Sequence, residues 1–169
     1  MKITLPITIL FFVISFFIIR QLLKWNEDLS NGMAEKKIHA CNWEPAEKCQ
    51  EAVQYWRDDA ERTSIVKKIV GLDLLYMCIY GNFLAFALQT QSRKPQPEWL
   101  RKWLQIGIPF IIVFTLIAAF QGVTIYRLVT DLDSQTFDRR LLTKIKWVLC
   151  TIGLLPLILS LLPFKAKQP

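Results

Sequence analysis

Residues 69–89 read IVGLDLLYMCIYGNFLAFALQ, and this stretch decides the fold. It carries one charge, Asp73, and 19 uncharged residues separate that aspartate from Arg93. A hydrocarbon core of ~30 Å is crossed by about 20 helical residues rising ~1.5 Å each. The segment therefore reads as a membrane span, with one carboxylate about a turn inside it.

Three further stretches repeat the pattern. Lys2 and Arg20 bracket 17 uncharged residues, Lys102 and Arg127 bracket 24, and Lys146 and Lys165 bracket 18. The spans are expected at about 3–23, 69–89, 103–126 and 147–164. In a chain of 169 residues that is 53% hydrophobic, they exclude an ordinary soluble domain, a disordered chain and a nucleic-acid module. Trp25, Trp99, Trp103 and Trp147 fall near span ends, where indoles settle at the interface. Pro6 suits a first helical turn, Pro109 predicts a bend, and Lys94-Pro95-Gln96-Pro97 stops a helix, making spans two and three an antiparallel hairpin. Ser134 is a candidate cap for a helix leading into span four. The first apolar run is longer than a signal-peptide core and no small-x-small site follows it, so it reads as a retained span.

Residues 24–68 are the one sizeable polar piece. Within them Ala46, Cys49, Val53, Trp56 and Ala60 recur at steps of 3, 4, 3 and 4, an amphipathic helix with a narrow apolar seam. Nothing between Pro45 and Gly71 forbids a helix, so it is expected to run into span two with little or no break. The seam either covers the bundle's own end or the headgroups, or offers a docking surface to a partner helix.

The net charge of +7 suits residues flanking spans. Fourteen Lys and Arg lie on the face holding 24–68, and seven on the other. The positive-inside rule then favours a cytoplasmic 24–68 segment and periplasmic termini in a bacterial inner membrane. Nine acidic residues offset the nine basic ones of that connection, and the 93–102 turn is the densest basic site. Orientation bears on Cys41 and Cys49. In a reducing compartment they stay free thiols, the reading adopted with this orientation; in an oxidising one they pair. His39, Cys41 and Cys49 match structural zinc poorly, and no metal or cofactor is expected.

The intramembrane polar residues are the most informative feature. Asp73 costs at least ~2.5–3.5 kcal/mol to insert, which argues against a lipid-facing position. Tyr76 and Tyr80 share its helix face. Antiparallel geometry brings Arg20, Gln121, Thr124, Arg127 and Thr151, with Lys146 and Cys150, to the same depth. A polar cluster of Arg20, Asp73, Tyr76, Tyr80, Gln121, Thr124, Arg127 and Thr151 is expected, with ionised Asp73 paired to Arg20 or Arg127. Such a cluster clamps helices or lines a functional cavity. No catalytic set accompanies it: the single histidine lies outside the spans and no second carboxylate stands beside Asp73. Asp131-x-Asp133-x-Gln135 begins like a calcium loop, but Thr136 and Leu142 stand where glycine and an acid are needed. Gly107, Gly122 and Gly153 form no glycine zipper along the chain.

Trp56, Ala60, Arg62, Asp73, Tyr76 and Tyr80-Gly81 resemble a pattern in a loosely defined group of small bacterial multi-pass membrane proteins. The resemblance covers about residues 46–86. It implies a four-span membrane protein and no biochemical activity. The third span departs from that group, reading Ala119-Phe120-Gln121-Gly122-Val123-Thr124 without the acid and asparagine the group tends to carry.

These readings converge on an all-α integral membrane four-helix bundle, a single transmembrane domain over 1–169, with an amphipathic cytoplasmic helix leading into span two. The expected function is that of a non-enzymatic interaction protein: an accessory, assembly or sensor subunit. Its partners would be the lipid bilayer and either another membrane or cytosolic protein or a second copy, with no nucleic acid. A small oligomeric channel or transporter, with Asp73 lining the path, is the alternative.

Overall fold

The computed structural model describes residues 5–130 and 139–162. The expected cap at Ser134 and the Asp131–Gln135 turn lie outside them. The described residues form helices and no strands: α1 (Leu5–Ser30), a 3₁₀ turn (Ala34–Lys36), α2 (Ala40–Trp43), α3 (Ala46–Arg57), α4 (Ala60–Ser92), α5 (Glu98–Thr130) and α6 (Arg140–Leu159). Helices α1, α4, α5 and α6 are long and apolar enough to cross a membrane. The chain is an all-α bundle of the integral membrane kind. Pro109 and Pro156 both stand inside their helices.

Helix α5 is central, packed against α4 on one side and α6 on the other. Small residues let the backbones approach. A Cβ on Gly107 would stand 3.1 Å from the Gly153 carbonyl oxygen, so these two glycines face each other across α5 and α6. Around them Leu84, Leu88, Leu100, Leu104 and Ile111 close the interior. Helix α1 is peripheral and leans on α4 through aromatic rings. Phe11 stacks on Phe83 with centroids 3.8 Å apart and on Tyr80 at 6.2 Å. Phe12, Phe16, Phe17, Leu116, Val148 and Ile158 are exposed, as a lipid-facing belt requires.

The polar segment folds as a cap on one end of the bundle. Helix α1 ends in left-handed backbone, with Asn31 at φ 47° and Gly32 at φ 82°, and the Asn31 N–H donates to Glu27 O. The chain then turns back through the 3₁₀ segment and α2. Helix α3 does not continue into α4, contrary to the expectation from spacing. Asp59 adopts extended backbone and its carboxylate accepts from the Glu61 and Arg62 N–H groups, so it starts a new helix. The carbonyls at the end of α3 are met by α4 side chains: the Thr63 hydroxyl donates to Trp56 O at 2.9 Å, and Arg62 Nη1 to Tyr55 O at 3.2 Å. Those bonds replace the ones a continuous helix would make.

The seam residues are covered by the chain itself. Cys49, Val53 and Trp56 are buried, Ala46 is half-buried, and Ala60 is exposed because the helix breaks before it. Leu29, Ile38, Val66, Ile69, Ile125 and Leu128 pack against the buried ones in one cluster. Trp56 is fully enclosed, and its indole N–H donates to Lys36 O at 2.8 Å. Of the two readings of the seam, the internal one describes its occupant: the span ends of the same chain fill it.

Candidate functional site

Where cap and bundle meet, a cavity of about 50 Å³ remains, enough for a few water-sized groups. Its polar lining comes from Asn42 of the cap, Asp73 of α4, Gln121 of α5 and Lys146 of α6. A relay of hydrogen bonds fixes one wall. Gln121 Nε2 donates to Thr143 Oγ1 at 2.9 Å, and that hydroxyl donates to the Asn42 backbone carbonyl at 2.9 Å. Since the hydroxyl spends its one proton on Asn42, it is an acceptor toward Gln121, and the amide nitrogen must face it. Gln121 Oε1 is thereby turned away from Thr143. It is buried with no hydrogen-bond partner among the described residues, and so is Asn42 Oδ1.

Asp73 is half-buried and makes no hydrogen bond or ion pair within 4 Å among the described residues. The Lys146 ammonium attracts it across the cavity, but lies 5.9 Å from the Trp147 ring centre. The expected counter-ion is therefore corrected: Lys146 faces Asp73, while Arg20 and Arg127 are exposed and do not line the cavity.

The rest of the expected cluster disperses. Tyr76 and Tyr80 stack on each other at 5.8 Å and continue the ladder through Phe11, so their rings hold α1 rather than line the cavity. The Thr124 hydroxyl donates to Phe120 O and Gln121 O, and the exposed Thr151 hydroxyl to Trp147 O, each within its own helix. Asp73 and Gln121 alone of the expected set reach the cavity. Lys146 had a signal, being the last charge before span four. Thr143 and Asn42 had none, because only the fold of the cap brings Asn42 there.

Above the cavity, Cys41 and Cys49 are joined in a disulfide with Cα atoms 4.5 Å apart, which corrects the reading of two free thiols. A bonded pair supplies no thiolate ligand, so the His39-Cys41-Cys49 set is not a zinc site in this state. Buried Arg139 brings Nη1 within 3.3 Å of Cys49 Sγ, and burial pulls its pKa below the ordinary arginine value. Arg57 donates to the Leu128 carbonyl, tying the cap to the end of α5.

The cap also carries an open groove of about 630 Å³. Four carboxylates line it, Glu27, Asp28, Asp59 and Glu61, against one guanidinium, Arg62, which lies over the Tyr55 ring at 4.0 Å. Lys37 pairs with Glu27, and Arg62 with Asp59 at 3.8 Å.

No protein family matches this chain, and neither the curated proteins nor the solved structures yield a similar one.

Proposed function

We propose that this chain is a non-enzymatic membrane interaction protein, an accessory, assembly or sensor subunit, and that its cap is the part a partner reads. The acidic groove carries this reading. With Tyr55 and Ile65 beside its four carboxylates, it suits a basic segment with an aliphatic or aromatic anchor. A second copy in the same membrane is a poor source of that segment. The basic turn residues Arg93, Lys94, Arg101 and Lys102 sit at the opposite end of the 33-residue helices, roughly 50 Å away. A photocrosslinker at Asn31 in cells tests the reading. A discrete adduct that disappears when Asp28 and Glu61 are changed to lysine supports it. No adduct, or one indifferent to those charges, contradicts it.

We further propose that the cap faces an oxidising compartment, the reverse of the orientation favoured by counting basic residues. The Cys41–Cys49 disulfide supports this, since such bonds persist outside reducing compartments. The count loses weight because several of its charges belong to the cap's own fold: Lys37 pairs with Glu27, Lys48 with Glu44, and Arg139 is buried. The dense basic turn then lies on the cytoplasmic side, as the positive-inside rule prefers. A membrane-impermeant maleimide should label Asn31→Cys and spare Gln96→Cys in intact cells. The opposite pattern rejects the orientation.

Transport is the second reading, favoured by Asp73 and Lys146 facing one cavity. Against it, fully buried Leu88, Leu104 and Ile111 fill the interior beyond that cavity. Liposome flux abolished by Asp73→Asn would establish it.

A further inference from the structure

We infer that the cavity between cap and bundle is a binding site for one small monovalent cation, with Lys146 as a tethered competitor. The proposal goes beyond the partner-binding reading and does not depend on it.

The argument begins with the balance of donors and acceptors. Among the described residues, three that line the cavity carry side-chain acceptor oxygens: Asp73, and Gln121 and Asn42, whose Oε1 and Oδ1 are buried without a hydrogen-bond partner. Gln121 is 2% exposed, and the relay through Thr143 prevents its amide from turning over without losing a hydrogen bond. Burying an acceptor unmatched costs about 1–3 kcal/mol. Two such oxygens beside a carboxylate with no direct partner form a set that wants positive charge or donated protons. Carboxylate and amide oxygens are the ligands hard cations take.

Size and charge narrow the class. With room for a few water-sized groups, the cavity suits a small ion and its waters better than an organic cation or a lipid headgroup. Among the described residues one carboxylate lines the cavity, and Lys146 partly offsets it, which favours a monovalent over a divalent ion. A sodium-sized ion completed by water fits both limits. Among the described residues Lys146 supplies the only cationic group lining the cavity, and its 5.9 Å approach to the Trp147 ring gives it a second place to rest. The ammonium and a bound cation would repel each other through the same carboxylate, so each weakens the other's hold. Because Asn42 belongs to the cap and Asp73 and Gln121 to the spans, bound cation would also tie cap to bundle.

Full-length protein in nanodiscs is melted in NaCl, KCl or choline chloride at constant ionic strength, followed by tryptophan fluorescence. The expected result is a saturable rise in melting temperature with sodium or potassium and none with choline. Asp73→Asn and Gln121→Leu should each abolish the rise. Lys146→Met should lower the half-saturating concentration roughly tenfold, by removing a like charge from a poorly screened site. An equal rise in choline, no rise in any salt, or a sodium effect that survives Asp73→Asn would overturn the site. Should Asp73→Asn fail to fold, Gln121→Leu and Lys146→Met decide it: an effect intact in the first, or an unchanged half-saturation in the second, overturns it equally.

Discussion

Replacing Trp56 by alanine in the cap removes a side chain that is fully buried and whose indole N–H satisfies the Lys36 carbonyl at 2.8 Å. A buried tryptophan cut to alanine typically costs 3–5 kcal/mol, and the orphaned carbonyl about 1 kcal/mol more. Cap opening should therefore become roughly 10³–10⁴-fold more frequent. Cys41 and Cys49 are each 1% exposed, so a soluble thiol reaches their disulfide only when the cap opens. The reduction rate in purified, monomeric protein, read by maleimide gel shift, measures that opening. Trp56→Ala should accelerate it by the factor above. Trp56→Phe, which keeps most of the volume and loses the hydrogen bond, should do so about fivefold. If Trp56→Ala were reduced at the wild-type rate, the seam would not be held by the chain's own span ends, and its role as a docking surface would return.

The same reasoning yields other outcomes. Gly107→Val pushes a side chain against the Gly153 carbonyl, a backbone atom that cannot rotate away, and should cost about 1–3 kcal/mol, seen as a lower melting temperature in detergent. Cys41→Ser with Cys49→Ser opens a loop of eight-residue separation and should lower cap stability by about 2.5 kcal/mol, read as faster limited proteolysis. Asp59→Ala removes the cap of α4 and should cost about 1 kcal/mol in thermal unfolding, with Asp59→Ser restoring most of it.

The spans were legible because uncharged runs of the right length leave few other options. Depth was legible too: Asp73, Gln121 and Lys146 come to one level by antiparallel counting alone. Rotation about each helix axis was not. Helices apolar on nearly every face give little sign of which side turns inward, so depth alone pointed to Arg20 or Arg127 as the partner of Asp73 and passed over Lys146 at the same level. The break between α3 and α4 carried a signal that the seam obscured. Asp59 followed by Glu61 and Arg62 marks a helix start, yet the step of four from Trp56 to Ala60 continued the apolar pattern across it. Gly107 and Gly153 pair between helices, which no spacing within one helix reveals. The disulfide was one of three readings of Cys41 and Cys49, beside free thiols and a metal site, and the turn through α2 brings their backbones within reach. Gln121, legible as a polar residue within the third span, carries one of the two buried, unpartnered oxygens of the candidate site.

A charge exchange at the junction of cap and bundle tests the central claim, that the intramembrane carboxylate is answered by Lys146 of the same chain. Asp73→Lys, Lys146→Asp and the double exchange are compared by thermal unfolding in nanodiscs, with Arg20→Gln as control. The account predicts that each single change destabilises, that Arg20→Gln does not, and that the exchange recovers roughly 1–2 kcal/mol of the summed loss. Losses that simply add in the double variant would contradict it.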